Sequence, residues 1–268
     1  MIVALSYFIL SNIISIMKFN KIFPKSNNVI IGAIHFAPLM GYPDFPGEEV
    51  IIKNAVADLK AFGVGGVDGV IVENNYDLPH LQTVTNDNRE LLVRLSKKIK
   101  EATSLPVGIS VLWNDYETAL FVAKKVGIKF IRVPVFVDKV KTSYEIMEPK
   151  AEKVIKYQEE INAKDVAIFT DIHVKHSEIL SKHSITESAK LAISMGSDAI
   201  IITGKWTGDA PNMDELKNVR DAVGDFPILC GSGVDATNVR ALFEYANGAI
   251  VSTSLKEGNI TSGEVNLK

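Results

Sequence analysis

Three observations in the sequence predict a single α/β domain built as a (β/α)8 barrel. From Val29 onward, short β-branched runs alternate with amphipathic stretches at intervals of roughly 30 residues, the rhythm of repeated strand–helix units. The runs are apolar almost throughout, as strands buried on both faces must be. Polar and ionisable residues follow nearly every run, and a barrel places chemistry at all eight strand ends. A doubly wound open sheet would gather such residues at one switch point, and its usual Gly-x-Gly-x-x-Gly after the first strand is missing.

The elements follow in chain order. Residues 1–16 are apolar and uncharged and are set apart from a barrel domain over 17–268. They read as an extension ahead of a true start at Met17, a helix packed on the barrel, or a targeting or attachment segment. The run is short of the roughly 20 residues of a membrane-spanning helix, so no stable span is expected. Strands are predicted at Val29–Ile34, Gly69–Val72, Val107–Leu112, Phe130–Val133, Val166–Phe169, Ala199–Ile202, Pro227–Leu229 and Gly248–Val251. Between them, Ile51, Ala55, Leu59 and Phe62, then Leu120, Ala123 and Val126, then Val239, Leu242 and Phe243 recur at helical spacing. Asp235 is placed to cap the last of these helices, and Gly63, Gly127 and Gly196 to end helices before the next strand. Thr261–Lys268 is too short and glycine-broken for a full closing helix, so the last helix is abbreviated or the sequence incomplete.

Composition narrows the partners. A net charge of -3, with lysines and arginines scattered along the chain, argues against nucleic acid and for a small ligand. The 47% hydrophobic fraction suffices for a full core, and self-association stays open. The one cysteine, Cys230, excludes an intrachain disulfide and suits a reducing compartment. The expected location is cytoplasmic, or mitochondrial or another organelle if residues 1–16 are a leader.

Strand ends supply the candidate site. Gly231, Ser232 and Gly233 follow the seventh strand, and Ser252, Thr253 and Ser254 the eighth. These loops form the phosphate site of many barrels, because glycines let backbone N–H groups approach an anion and hydroxyls add donors. Two tight turns without a ligand are the plainer alternative. After the fifth strand, Asp171, His173 and Lys175 share one face if the chain stays extended, so a carboxylate, an imidazole and an amine would project together. Lys175 could then act as electrophile, charge clamp or Schiff-base amine. His35, Glu73, Asp171, His173 and His176 could instead hold a divalent metal, the only cofactor the sequence suggests. Arg132, inside an apolar strand, needs an anionic partner, and Glu73, Asp115 and Asp171 are candidates. His35 could be a base or a structural histidine. Asn74, Asn114, Asp115, Thr203, Gly204 and Thr207 complete the expected substrate contacts, with Asp115 alternatively a helix cap.

The same strand-end strings resemble the BtpA family, a set of TIM-barrel proteins that includes the SgcQ-type members. The resemblance rests on Ile31-Gly32-Ala33-Ile34-His35 with Pro38-Leu39, Gly65 to Asn74, Pro106-Val107-Gly108 with Asn114-Asp115, and Phe130 to Val133. It continues through Asp171 with Lys175-His176, Thr203-Gly204 with Thr207-Gly208, Gly231-Ser232-Gly233 and Ser254-Leu255-Lys256. The sequence departs from the family pattern at Ser110, Trp113 and Pro134. Resemblance implies the barrel and leaves the activity open, since the family takes its name from a role in photosystem I biogenesis.

Three functions are consistent with these residues. The first is an enzyme for a small phosphorylated metabolite, working by lyase, isomerase or aldol-type proton transfer through Glu73, Asp171, His173, Lys175 or His35. The second is a metal-dependent hydrolase. The third is a non-catalytic biogenesis or assembly factor that uses the barrel as a scaffold.

Overall fold

The computed structural model of the chain describes residues 2–25, 27–259, 263 and 265, and gives the backbone alone for 2–11 and 259. Eight parallel strands close into one barrel: β1 (Val29–His35), β2 (Gly69–Glu73), β3 (Val107–Ser110), β4 (Phe130–Val133), β7 (Ala167–Ile172), β9 (Ala199–Ile202), β10 (Ile228–Cys230) and β11 (Gly248–Val251). Their order around the ring is β1-β11-β10-β9-β7-β4-β3-β2. Each predicted strand is present. The fifth barrel strand, β7, runs three residues beyond its predicted end, which brings Thr170, Asp171 and Ile172 into the sheet.

Helices α2 (Glu48–Val64), α3 (Asn86–Glu101), α4 (Tyr116–Val126), α5 (Ala151–Glu160), α6 (Ile185–Ser194), α7 (Met213–Val223) and the single-turn α8 (Val239–Leu242) cover the ring. Ile51, Ala55, Leu59 and Phe62 bury the inner face of α2, as their spacing predicts. Gly127 ends α4 in a left-handed conformation, whereas α2 passes through Gly63 and stops at Gly65. Asp235 accepts from the Thr237 and Asn238 N–H groups, so it caps the turn that leads into α8. After β11 the described residues form the short 3-10 turns Thr253–Leu255 and Glu257–Asn259 and an isolated bridge between Lys256 and Val265.

Two features stand beside the barrel, the first outside the sequence-based reading and the second the packed helix that is one of its alternatives for residues 1–16. A small antiparallel sheet, ordered β6 (Ile146–Met147), β5 (Val140–Thr142), β8 (Ser177–Ile179), rises from the chain after β4 and after β7. The other is the helix α1 (Ile2–Ile22), continuous across the boundary between 16 and 17. Among the described residues no helix is long and apolar enough to cross a membrane.

The carboxyl half of α1 and the residues after it close the amino-terminal end of the barrel. Phe19 and Phe23 are fully buried and enter the same interior cluster as Ile31, Ile71, Phe130, Phe169, Ile201, Leu229 and Ile250. Phe130 and Phe169 stack at 4.6 Å between ring centroids, and Gly108 leaves the room, because a Cβ there would lie 2.1 Å from the Phe130 ring. Ser15 donates to the Ser197 carbonyl at 3.2 Å, and Lys18 pairs with Asp198 at 2.8 Å.

Asp198 also accepts the Ile168 N–H at 2.9 Å, and Asp68 and Asn247 accept the Ile30 and Ile228 N–H groups in the same manner. Each of the three sits immediately before one barrel strand and satisfies a donor at the start of its neighbour. The device pairs backbone groups that the barrel's lower rim would leave without partners.

Candidate active site

The two-residue period of a strand builds the site. Inward-facing Ala33, Ile71, Phe130, Phe169, Ile201, Leu229 and Ile250 belong to the apolar interior. One step of two residues toward the carboxyl end gives His35, Glu73, Arg132, Asp171, Thr203, Gly231 and Ser252. Hydrocarbon therefore gives way to a polar layer in a single step, and that layer is the floor of the mouth.

At its centre, Asp171 accepts a bidentate pair from Arg132, Nε to Oδ1 and Nη2 to Oδ2, both at 2.8 Å. Glu73 accepts from Arg132 Nη1 at 3.2 Å, and its other oxygen lies 3.7 Å from His35 Nε2. Burial by itself would lower the Arg132 pKa, but the two carboxylates outweigh it and hold the guanidinium charged. His35 and Glu73 are partners in the register of β1 and β2, which explains their proximity.

Above this floor opens a cavity of about 1300 Å³, lined by His35, Glu73, Arg132, Lys175, His176 and Thr207 among the expected residues. Gly231, Ser232, Gly233, Ser252, Thr253 and Ser254 line it on the side of β10 and β11. Lys175 lines the cavity and forms no ion pair among the described residues. Desolvation, reinforced by the Arg132 cation, lowers its pKa to about 8.

The shared face expected of Asp171, His173 and Lys175 does not form. His173 turns into the left-handed region, with φ 49°, and its N–H donates to Asp138 at 3.3 Å, so the chain leaves the extended path there. Asp171 points at Arg132 and lies behind it; the His173 ring is not on the cavity wall. Lys175 reaches the mouth by a different route, its backbone N–H held by Thr203 Oγ1 at 3.1 Å.

Several expected ligand contacts are instead ties between loops. Asn74 accepts the Leu112 N–H at 2.7 Å and donates to Asp77. Asn114 exchanges two hydrogen bonds with the backbone of Val135. Asp115 caps α4 by accepting the Thr118 N–H at 2.9 Å, its alternative role. The Gly204 N–H donates to Ser232 Oγ, which in turn donates to the Asp209 carbonyl. Gly233 sits at φ 64°, and a Cβ there would lie 2.1 Å from the Asp209–Ala210 backbone, so its lack of a side chain serves loop packing. Ser254 donates to the Val234 carbonyl at 2.6 Å. Ser232 and Ser254 thus spend their hydroxyl protons on the scaffold, whereas the Ser252 hydroxyl is buried with no hydrogen bond among the described residues.

The metal constellation does not assemble. Among the described residues no three histidine, cysteine or carboxylate side chains converge as a metal-holding group. Asp171 is engaged by Arg132, and His176 bonds Thr207 Oγ1 at 2.8 Å on another side of the mouth. Cys230 is buried, and burial pushes its thiol up to about 12, so it is no nucleophile.

The cavity also has walls that sequence reasoning passed over, His80, Lys141 and Tyr144, together with Trp113 and with Lys205 and Trp206 of the loop between Gly204 and Thr207. His80 is desolvated, which lowers its pKa to about 4 against a smaller opposing effect of Glu73, and its Nδ1 is buried without a partner among the described residues. No periodic signal marks these positions, since they lie on loops and on the β5–β6 hairpin.

Fold and site together define a class: a (β/α)8-barrel protein with a cation-bearing cavity at the carboxyl ends of its strands. The chain matches the model of the BtpA family over residues 26–267 and belongs to that family. It is 36% identical over 240 residues to the Synechocystis protein named Photosystem I biogenesis protein BtpA, covering 88% of this chain and 83% of that one. It is 33% identical over 249 residues to an uncharacterized Caenorhabditis elegans protein named as mitochondrial, covering 89% of each. Among solved structures, a putative phosphonomutase from Burkholderia cenocepacia J2315 superposes with a TM-score of 0.56 at 10% identity, over 89% of this chain and 92% of that one. That last likeness is one of fold.

Proposed function

We propose that the chain is an enzyme acting on a small phosphorylated metabolite by aldol, lyase or isomerase chemistry, with Lys175 as its reactive amine. The observation that carries this reading is the desolvated amine of Lys175 at the cavity wall, beside Arg132 and with a pKa near 8. At pH 7 about a tenth of the side chain is then free amine, a few hundredfold more than for a lysine in water. The amine adds to a substrate carbonyl carbon and water leaves. The protonated imine so formed withdraws electrons from an adjacent C–H or C–C bond. Glu73, on the cavity floor, takes the proton, while Arg132, aimed by Asp171, anchors a substrate oxygen.

The phosphate end of the reading is supported by the position of Gly231–Gly233 after the seventh barrel strand and of Ser252–Ser254 after the eighth, both on the cavity wall. Lys175 and Lys205 add positive charge to the mouth. A purely structural assembly role, suggested by the name of the Synechocystis relative, leaves the desolvated Lys175 without a task. Incubation with dihydroxyacetone phosphate and cyanoborohydride at pH 7, followed by peptide mapping, tests the amine. The expected result is a reduced adduct concentrated on Lys175 and absent from that position in Lys175→Arg. An adduct spread evenly over the surface lysines would refute the assignment.

A further inference from the structure

The cavity has a second pole. Its volume of about 1300 Å³ exceeds the roughly 300–1,000 Å³ of most small-molecule sites, and a three-carbon phosphate would leave most of it to water. In the ring order, β10 and β3 are each four steps apart in either direction, so they stand diametrically opposite. Ser252 and Gly231–Gly233 occupy the β10–β11 side. Facing them, the loops after β2 and β3 and the β5–β6 hairpin contribute Leu78, His80, Leu112, Trp113 and Tyr144.

This opposite wall is rich in aromatic side chains and braced. Trp113 packs on the cluster of Val135, Val140, Met147 and Val174 beneath the small sheet. Tyr144, at the hairpin tip, is half exposed and meets His80 edge-on, with ring centroids 6.4 Å apart. Gln82, just beyond His80, hydrogen-bonds Glu145 and ties the hairpin to the β2 loop. Lys141 and Ser143 of the hairpin and Asn75 of the β2 loop also line this side, and His80 Nδ1 is buried behind it with no partner among the described residues. A flat ring would stack on the aromatic faces of this wall, and hydrogen-bonding atoms on its edge would meet the polar groups of Lys141, Ser143 and Tyr144 that line it.

We propose that the substrate has two ends: a phosphate at the Ser252 and Gly231–Gly233 pole, and a planar nitrogen heterocycle at the Trp113, Tyr144 and His80 pole. A nucleoside 5′-monophosphate has this form. The carbon chain between the ends passes over Arg132, Glu73 and Lys175, which connects the two poles to the chemistry of the floor. The inference rests on the phosphate reading of the first pole and adds the identity of what lies across from it.

Isothermal titration with inorganic phosphate, ribose 5-phosphate and AMP separates the two claims. AMP should bind roughly ten- to a hundredfold tighter than ribose 5-phosphate, the gain that stacking of one base confers. In Tyr144→Ala and in Trp113→Leu the AMP advantage should shrink severalfold while ribose 5-phosphate affinity holds. The ratio of the two affinities within one preparation cancels any loss of folded protein. Equal affinity for AMP and ribose 5-phosphate would overturn the heterocycle pole and leave the phosphate reading standing. An AMP advantage untouched by both variants would overturn its placement at this wall. Absence of binding by all three probes would overturn both readings together.

Discussion

Lys175 shows at the scale of one residue how this site holds a group in a state water would not favour. An amine whose folded pKa lies near 8, below the ordinary 10.5, makes the charged form costly in the fold. The unfolded chain therefore binds more protons between these values, and stability rises with pH from about 8 to 10.5. Lys175→Met removes the penalty and should stabilise the protein at pH 7 by about 3 kcal/mol, an advantage that shrinks as pH approaches 10.5. Urea unfolding of both proteins at pH 7, 9 and 10 measures it, and a constant difference across that range would contradict the desolvation. The floor residues were legible from the sequence because the strand period points every second side chain inward, and Glu73, Arg132, Asp171 and His35 all follow it. His173 was misread for the same reason: the period holds only while the chain is extended, and the left-handed turn at that residue ends it.

At the scale of elements, the eight barrel strands announce themselves because double burial makes them almost wholly apolar. The small sheet does not. Its strands are two or three residues long, Val-Lys-Thr, Ile-Met and Ser-Glu-Ile, too short and too mixed to show a period. What holds them is pairing between segments far apart in sequence, with Val140 opposite Ile179. His80, Trp113 and Tyr144 were missed with it, since loop positions carry no periodic mark. The closing segment at the other end of the barrel makes an opposite case, an apolar stretch whose packing partner could not be named from sequence. Phe23 sits against Phe130 with centroids 5.8 Å apart and is 1% exposed. Phe23→Ala should cost about 3–5 kcal/mol, read as a lower urea midpoint with an unchanged slope. A loss under 1 kcal/mol would mean that the phenylalanine is not part of the cooperative core.

The whole molecule divides its labour along the barrel axis. The amino-terminal end is closed by aromatic rings and by carboxylate and amide side chains that satisfy backbone donors, while the carboxyl end is left open, charged and loop-built. Stability and the candidate site thus occupy different ends, and loops can vary at the mouth without disturbing the closed base. The sequence has two tryptophans, and Trp113 and Trp206 both line the mouth. The tryptophan fluorescence of the chain, excited at the red edge where tyrosine does not absorb, is therefore an optical signal from the cavity. A ligand that enters should change the intensity or shift the emission maximum, and Trp206→Phe should leave the response of Trp113 by itself. Candidate metabolites can be ranked by that emission before any reaction has been identified.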